Sequence, residues 1–339
     1  MGGCDTPQKT NKTTIMQNST AKYLYGIIGY PLGHTLSPAL HTWLYQQIGL
    51  PARYSAWPLS PEDLPAFMAG LRADNKNVQG LSVTIPHKQA VMPFLDALDE
   101  QALSAGAVNT LYRQGNTLRG TNTDVHGFLY PLLLSKIAPR HALLLGCGGS
   151  ARAVLAALNS LPGLNSGPIK VTIAARNTEK AAELAHKFKA TPLAWANLPA
   201  VAADMPFDLI VNCTPLGLAG SNAAGQSPLG VAEFKRIATL CQETFNCSPL
   251  AYDLVYKPLQ TPFLAAATTA GCATQDGLDM LLAQGIKQLQ IWLGHLPEQM
   301  PEQMPEQAGQ ANQALKNWAS LTLPTVSAAR QALTSTFLA

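Results

Sequence analysis

Short apolar runs alternate with segments of helical periodicity along most of this chain. Seven of these runs predict buried strands, at 23–29, 53–57, 79–84, 142–145, 169–174, 208–212 and 250–256. Amphipathic segments predict helices at 61–71, 127–134, 180–188, 276–292 and 325–337. Strands that alternate with helices are typical of βαβ units, so we predict an α/β fold built on parallel sheets.

Both ends of the chain depart from this pattern. Residues 1–22 are polar, and we predict a disordered tail there. Near the other end, proline recurs every fourth residue in a Pro-Glu-Gln repeat that begins at Pro297. Because proline interrupts a helix, residues 297–324 are predicted to form an extended spacer without chemistry of its own.

The composition narrows the function classes. With 339 residues, 47% of them hydrophobic, the chain can form two domains with a sizeable core. The formal net charge of +3 comes without a basic block, which argues against a nucleic-acid surface, and no apolar run is long enough to span a membrane. The six cysteines form no Cys-x-x-Cys pair and no metal-ligand cluster, so we expect reduced thiols, no metal and a cytoplasmic protein.

The run at 142–157 ends a predicted strand in glycines and opens a helix of small residues. Gly146 permits a tight turn, Gly148 allows close approach of a pyrophosphate, and Ala151 lets the helix pack closely on the strand. The N–H groups that open this helix form an anion site. Such a turn also occurs without any ligand, so the motif alone leaves both readings open.

The next predicted strand indicates which dinucleotide the chain prefers. It ends at Arg176, and Lys180 lies one helical turn further on, where a ribose 2′-phosphate needs cations. Glu179 is a nearby carboxylate that would oppose the binding of a 2′-phosphate. Alternatively, the arginine and the lysine are solvated surface residues without a ligand. We therefore predict a Rossmann-type domain over roughly 125–276 that binds NADP(H) in preference to NAD(H).

Polar residues cluster in the first half where predicted strands end. Thr35, Ser37 and His41 follow the first strand, a placement that suits a polyhydroxylated ligand. Ser37 has an alternative structural role, as a helix N-cap followed by proline. Lys88 falls in the first turn of a predicted helix, where the helix dipole disfavours a cation, so it indicates either function or a lysine that reaches solvent.

Candidate partners for Lys88 follow in two loops. Asp124 precedes a predicted helix and could be no more than its N-cap, and Asn109 could be an ordinary turn residue. Gln284 lies off the apolar stripe of the long helix at 276–292, which by itself predicts an exposed polar face. This half of the chain lacks a polar pocket only if every one of these residues has a purely structural role.

Seven motifs in order carry a resemblance to a known family. They are His-Thr-Leu-Ser-Pro at 34–38, Ser-Val-Thr-Ile-Pro-His-Lys at 82–88, Ala-Gly-Ala-Val-Asn-Thr at 105–110, Asn-Thr-Asp at 122–124, Gly-Cys-Gly-Gly at 146–149, Tyr-Asp-Leu-Val-Tyr at 252–256 and Asp-Gly-Leu-Asp-Met-Leu at 276–281. From residue 23 to 293 the chain resembles the shikimate dehydrogenase family. The resemblance implies a substrate domain over 23–124 and 277–339, with an NADP-binding Rossmann domain inserted at 125–276 and the active site between them.

The resemblance also assigns roles to residues. It implies that Lys88 and Asp124 are the catalytic pair. The residues that it implies for the substrate are Thr35, Ser37, Thr84, Asn109, Tyr256 and Gln284. Those that it implies for NADP(H) are Gly146, Gly148, Gly149, Ser150, Ala151, Arg176, Lys180, Thr214, Leu254 and Gly277.

The implied reaction is the reversible, NADPH-dependent reduction of 3-dehydroshikimate to shikimate in aromatic biosynthesis, by a monomer or homodimer that acts on small molecules. Thr35, Ser82 and Ala175 depart from the family, which usually has serine, asparagine and asparagine at these positions. The methyl group of Thr35 leaves open an NAD(P)-dependent quinate/shikimate dehydrogenase. A sensor that binds such ligands without catalysis is the alternative from another class.

Overall fold

The computed structural model describes residues 21–33, 35–73, 78–161, 168–295 and 323–335. Within these ranges the strands are β1 Tyr23–Gly29, β2 Ala52–Pro58, β3 Val78–Val83, β4 Ala97–Leu98, β5 Thr110–Gln114, β6 Thr117–Thr121, β7 His141–Leu145, β8 Lys170–Ala175, β9 Thr191–Ala194, β10 Leu209–Asn212, β11 Leu250–Asp253 and β12 Ala273–Gln275. The α-helices are α1 Ser37–Ile48, α2 Leu64–Ala73, α3 His87–Ala90, α4 Glu100–Ala105, α5 Asp124–Leu134, α6 Gly149–Ser160, α7 Thr178–Phe188, α8 Leu198–Asp204, α9 Val231–Phe245, α10 Pro262–Thr269, α11 Leu278–Gly294 and α12 Leu323–Leu333.

The first six strands form one mixed sheet in the order β2-β1-β3-β5-β6-β4. Strand β1 pairs in parallel with β2 and β3, which confirms the βαβ pattern predicted for these strands. Strands β5 and β6 form an antiparallel hairpin that turns at Gly115, where φ is +60°. The strand predictions did not include this hairpin, although glycine between two polar residues is a turn signal.

The other six strands form a fully parallel sheet in the order β12-β11-β10-β7-β8-β9. The strand order reverses at β7, which lies between β10 and β8 and therefore starts both halves of a Rossmann-type sheet. Ligands of such sheets bind outside the carboxyl ends of the strands at this reversal. Gly146 directly follows β7, so the glycine-rich turn lies where the strand order reverses. The predicted fold class is confirmed.

Helices α5 and α11 pack against each other beside the first sheet. A Cβ atom at Gly127 of α5 would lie 2.6 Å from the Met280 carbonyl of α11, so only glycine allows this close approach. Helix α12 covers α1 and α11, with Val326, Ala329 and Leu333 buried in the same apolar cluster as Leu40. Helix α12 therefore completes the core that begins with α1.

Several predicted boundaries shift in the structure. Ser37 and Asp124 are the first residues of their helices and not the N-caps, which are Leu36 and Thr123 without a side-chain cap. Strand β11 ends at Asp253, before the rest of the predicted run. Helix α12 starts within the predicted spacer, at Leu323.

The remaining predictions for the chain ends lie mostly outside the described residues. These are the tail at 1–20, the Pro-Glu-Gln repeat and residues 336–339. Lys22, at the end of the predicted tail, donates its backbone N–H to the Pro51 carbonyl. None of the helices described is both long and apolar enough to cross a membrane.

Candidate active site

Lys88 and Asp124 form a buried ion pair in the candidate site. Lys88 Nζ lies 2.6 Å from Asp124 Oδ2, and the two side chains are only 12% and 9% exposed. Lys88 is the second residue of α3, and its carbonyl accepts the Val108 N–H at 2.7 Å, which ties α3 to the segment before β5. Asp124 starts α5, so two helix N-termini bring these charges together, and Lys88 is largely buried in an ion pair instead of extending into solvent.

The stem of Lys88 lies against the glycine-rich turn. A Cβ atom at Gly149 would be 3.2 Å from Lys88 Cδ and 3.5 Å from Lys88 Cβ. Gly149 is the first residue of α6, which follows the switch point of the second sheet. The ammonium group that the first half supplies is therefore beside the predicted dinucleotide site of the second half.

Asn109 is a buried junction and not a turn residue. Its Nδ2 donates to Asp124 Oδ1 and to Thr123 Oγ1, both at 2.9 Å, and lies 3.3 Å from Gln284 Oε1. Its Oδ1 accepts the Thr123 N–H at 2.7 Å and the Thr110 hydroxyl at 2.7 Å. Asn109 therefore holds the carboxylate of Asp124 in place and also fixes the turn that starts α5.

A cavity of about 180 Å³ opens beside the ion pair. A water molecule occupies roughly 30 Å³ in the liquid, so this volume suits a small-ring ligand better than one or two waters. It contains eleven of the predicted site residues, which are Thr35, Ser37, Thr84, Lys88, Asn109, Asp124, Ser150, Leu254, Tyr256, Gly277 and Gln284. Most of the polar residues that line the cavity are therefore ones that the sequence predicted.

Two predicted substrate residues occupy the cavity in ways that the sequence did not reveal. Gln284 is 8% exposed and donates its Nε2 to the Leu281 carbonyl, so the prediction of an exposed polar face was wrong. Burial raises the pKa of the Tyr256 phenol, whose oxygen contacts the backbone N–H of Leu36. Thr35 donates its hydroxyl to Ser37 Oγ at 3.2 Å on the same side of the cavity.

The glycine-rich turn has the geometry predicted for a dinucleotide site. Gly146 has a φ of +110°, which favours glycine, and a Cβ atom there would lie 3.0 Å from Thr214 Cγ2. Gly148 is the N-cap of α6 and provides no side-chain cap, so the first N–H groups of that helix are open. Space around Gly148 is clear for 4 Å in the direction of a Cβ atom, and Ala151 is fully buried against the sheet.

Four other predicted cofactor residues lie along the carboxyl ends of the second sheet. Thr214 donates its hydroxyl to Asn212 Oδ1 at 2.6 Å and so shapes the loop after β10. Leu254 and Gly277 approach each other closely, because a Cβ atom at Gly277 would lie 2.3 Å from the Leu254 carbonyl. Ser150 lines the cavity from the first turn of α6.

Arg176 and Lys180 are exposed at the tip of β8 and the start of α7. Neither side chain makes a hydrogen bond or an ion pair with another described residue. Asn177 caps α7 by accepting the Lys180 N–H at 2.8 Å, which fixes the turn that carries both cations. Glu179 lies between them without pairing to either, so the two positive charges are free for an anion.

Known proteins are similar to this chain in sequence. Residues 27–111 match the family model described as shikimate dehydrogenase substrate binding domain. Shikimate dehydrogenase (NADP(+)) of Oleidesulfovibrio alaskensis is 49% identical over 273 residues, which are 80% of this chain and 90% of that protein. The corresponding enzyme of Synechocystis is 41% identical over 296 residues, 85% of this chain and 92% of the relative.

The chain belongs to the shikimate dehydrogenase family. Among solved structures, shikimate 5-dehydrogenase from Thermus thermophilus in complex with NADP(H) and shikimate has a TM-score of 0.66 and 31% identity, covering 87% of this chain and 99% of that one. The family is therefore shown by sequence over most of the chain and by structure over nearly the whole length of a solved relative.

Some cavity residues of this shikimate dehydrogenase family member were not predicted as site residues. They are Ile27, Ser82, Val83, Met280, Leu281 and Gln288. Ser82 was considered only as a departure from the family's usual asparagine, and its hydroxyl donates to Gln288 Oε1 at 2.8 Å. Gln288 follows Gln284 by one helical turn, so the period of α11 places both on one face and could have identified it. Within the described ranges, no three His, Cys, Asp or Glu side chains form a group that could hold a metal ion.

Proposed function

We propose that this chain catalyses the reversible, NADPH-dependent reduction of 3-dehydroshikimate to shikimate, with Lys88 and Asp124 as the catalytic pair. The observation that carries this assignment is the buried 2.6 Å ion pair at the cavity wall, beside the glycine-rich turn. We further propose that the first sheet with α11 and α12 forms the substrate unit and that the second sheet forms the NADP unit.

The chain's own residues fit NADP(H). The open N–H groups at the start of α6 suit the pyrophosphate, since Gly148 leaves clear space in front of them. The unpaired cations Arg176 and Lys180 suit the 2′-phosphate. The backbone of Leu254 and Gly277 would lie towards the nicotinamide, and Thr214 supports the turn at Gly146. When bound, NADPH supplies the hydride for the reduction.

Lys88 acts as the general acid in the proposed reduction. Its ammonium has three protons, and the structure commits one of them to Asp124, so the others are available to an oxygen in the cavity. Lys88 donates a proton to the alkoxide that develops on the substrate, and in the reverse direction its amine accepts the proton of the hydroxyl. Burial in a low-dielectric cavity strengthens this electrostatic contribution.

Asp124 orients the ammonium and accepts a hydrogen bond from a neighbouring substrate hydroxyl. Asn109 keeps the carboxylate in place through the 2.9 Å bond to its other oxygen. The remaining polar groups, on Thr35, Ser37, Thr84, Tyr256 and Gln284, bind the substrate carboxylate and hydroxyls. Such a ring of short polar side chains holds a polyhydroxylated acid in one orientation.

An absorbance assay of the reduced nicotinamide tests the proposal directly. Initial rates are measured with shikimate and with quinate, each with NADP⁺ and with NAD⁺. We expect the highest kcat/KM with shikimate and NADP⁺, because Arg176 and Lys180 favour the 2′-phosphate. A higher kcat/KM with quinate and NAD⁺ would replace this function by the quinate/shikimate alternative, and no turnover with any pair would favour a sensor.

Replacing Lys88 separates catalysis from binding. In Lys88→Ala we expect kcat to fall by roughly 10²- to 10⁴-fold, the usual contribution of a general acid, while KM for shikimate changes only a few-fold. Lys235→Ala removes an exposed lysine of α9 and is the matched control with normal kinetics. Near-parental turnover in Lys88→Ala would exclude the catalytic role.

A further inference from the structure

Gln288 lies at the floor of the substrate cavity with only 1% of its surface exposed. Its Nε2 is 3.1 Å from the Asn109 carbonyl and 2.9 Å from Thr110 Oγ1. Its Oε1 is 2.8 Å from Ser82 Oγ. The side chain therefore connects α11 to β3 and β5, and it uses all of its polar atoms to do so.

The neighbours of Gln288 determine which way its amide points. A backbone carbonyl can only accept a hydrogen bond, so the Gln288 atom that faces the Asn109 carbonyl must be the nitrogen. The oxygen therefore faces Ser82 and the Nε2 of His41, which is 3.3 Å away. Both of these groups must donate to it, because an amide oxygen can only accept.

His41 is able to play this part as a neutral donor. It is fully buried, and burial lowers its pKa from 6.5 to about 3. Its ring stacks on the Tyr54 ring with centroids 4.4 Å apart, which fixes its orientation. The Nε2 proton faces Gln288, so the imidazole keeps a single tautomer.

The direction set by Gln288 passes along a row of hydroxyl groups. Because Ser82 gives its proton to Gln288, the Tyr54 hydroxyl at 2.7 Å must donate to Ser82 Oγ. The result is a one-way chain of donors from Tyr54 through Ser82 to Gln288.

This row of hydrogen-bond donors determines which hydrogen bonds the Ser82 hydroxyl can still make. Its oxygen accepts from Tyr54 and its proton is donated to Gln288, so one lone pair remains and no proton. A group of this kind accepts a hydrogen bond from a ligand hydroxyl and repels a carboxylate oxygen. The family's usual asparagine could do either, because its amide offers both donors and an acceptor.

We propose that Gln288 is a positioning residue that determines substrate specificity by fixing the hydroxyl of Ser82 as an acceptor for a ring hydroxyl of the substrate. This inference rests on the proposed function. It adds two residues to the recognition of a polyhydroxylated acid, Ser82 in contact with the ligand and Gln288 behind it. Cooperative polarisation along the donor chain strengthens the effect, because each hydroxyl that donates becomes a better acceptor.

The test compares shikimate with its 4-deoxy and 5-deoxy analogues, which keep the hydroxyl that is oxidised. In the parent protein we expect one analogue to lose about tenfold in kcat/KM, the cost of leaving one buried acceptor unpaired. In Ser82→Ala and in Gln288→Met this loss in kcat/KM for the analogue should shrink to less than about threefold. In the double variant the loss should be no smaller than in either single variant. KM for NADP⁺ should stay within about twofold throughout.

The matched control is Gln290→Met, the same substitution two residues along α11 at a half-buried glutamine outside the network. It should discriminate between the analogues as the parent does. Ser82→Ala provides the test if Gln288→Met fails to fold. Parental discrimination in either variant, or additive losses in the double variant, would overturn the inference. Absence of shikimate turnover in the parent would instead overturn the proposed function.

Discussion

His41 is enclosed by aromatic rings and has no exposed surface. Besides Tyr54 it contacts Trp292, with ring centroids 5.0 Å apart, and its Nδ1 has no hydrogen-bond partner among the described residues. A proton added to this ring would be buried away from bulk solvent, and no carboxylate of the described residues is bonded to it. The lowered pKa of about 3 therefore makes the fold dependent on pH.

The sign of this dependence follows from the two pKa values. Below about pH 6.5 the unfolded chain binds a proton at His41 and the folded chain does not, so stability falls as the pH falls towards 3. Between pH 7.5 and 5 we expect this residue to cost about 2 kcal/mol of unfolding free energy. Urea unfolding followed by tryptophan fluorescence measures it, because Trp292 lies beside the ring.

His41→Gln keeps an N–H donor for Gln288 but cannot titrate. Its loss of stability between pH 7.5 and 5 should be smaller than that of the parent by about 2 kcal/mol, whatever its absolute stability. Equal losses in the two proteins would show that His41 is not the group responsible. The comparison uses only differences between two pH values, so a general destabilisation by the substitution cancels.

Without the family resemblance, single residues could be predicted from the sequence only where their chemistry was unusual for their position. Lys88 at a helix start and the glycines at 146–149 contradict ordinary helix and strand preferences, and that conflict identified them. Gln284 and Asn109 do not, because a glutamine on a helix or an asparagine in a loop has a common structural explanation. Their importance depends on which neighbours the fold brings to them. Those neighbours are far away in the sequence, so no local sequence pattern identifies them.

At the scale of elements, α12 is connected to the active site through one arginine. Arg330 Nη2 lies 2.5 Å from Asp276 Oδ2, and its Nη1 lies 2.8 Å from Asp279 Oδ1. These carboxylates flank Gly277 and Leu278 at the start of α11, and Asp276 Oδ1 accepts the Leu278 N–H at 2.9 Å. The carboxylates in turn raise the pKa of the Arg330 guanidinium, so its positive charge is secure.

Removing this charge should weaken binding of anionic ligands. In Arg330→Gln, two carboxylates lose their counter-charge beside the cavity, and NADP⁺ and shikimate are both anions. We expect their KM values to rise by about fivefold at 50 mM salt and the gap to the parent to narrow at 0.5 M, where screening is stronger. Arg72→Gln breaks the surface pair with Asp96 instead and should leave both KM values unchanged. A gap that does not respond to salt would exclude the electrostatic explanation.

Elements were predictable where their hydrophobic period was strong. The parallel strands of both sheets and the long α11 follow from apolar runs and from a stripe of leucines, so their boundaries were wrong by only a few residues. The hairpin of β5 and β6, helix α9 and the short strands at sheet edges were missed. The missed edge strands β4, β9 and β12 have two to four residues each, which leaves too few apolar positions to define a period.

At the scale of the whole molecule, the two ends of the described chain share one core. Val326, Ala329 and Leu333 of α12 lie against α1, which begins directly after Thr35 and Leu36. Burial of such side chains contributes roughly 1.5–3 kcal/mol each for valine and leucine. Helix α12 therefore supports the same segment that lines the cavity.

Removing α12 tests this dependence. A chain that stops before Leu323 should lose roughly 3–6 kcal/mol of unfolding free energy, the summed burial of Val326 and Leu333, and its KM for shikimate should rise more than its KM for NADP⁺. Deletion of one repeat unit, residues 301–304, is the control and should change neither value. Unaltered stability without α12 would show that the helix contributes nothing to the shared core.

The floor of the cavity joins residues far apart along the chain. Gln288 bonds to Ser82, 206 positions earlier, and Gln284 contacts Asn109, 175 positions earlier. A ribosome releases the polypeptide from its amino end, so the whole Rossmann sheet emerges before the second wall of the pocket does. A nascent chain can therefore acquire a cofactor-sized platform first, but it gains selectivity for its acid only after the segment that contains Gln284 and Gln288 has also been made.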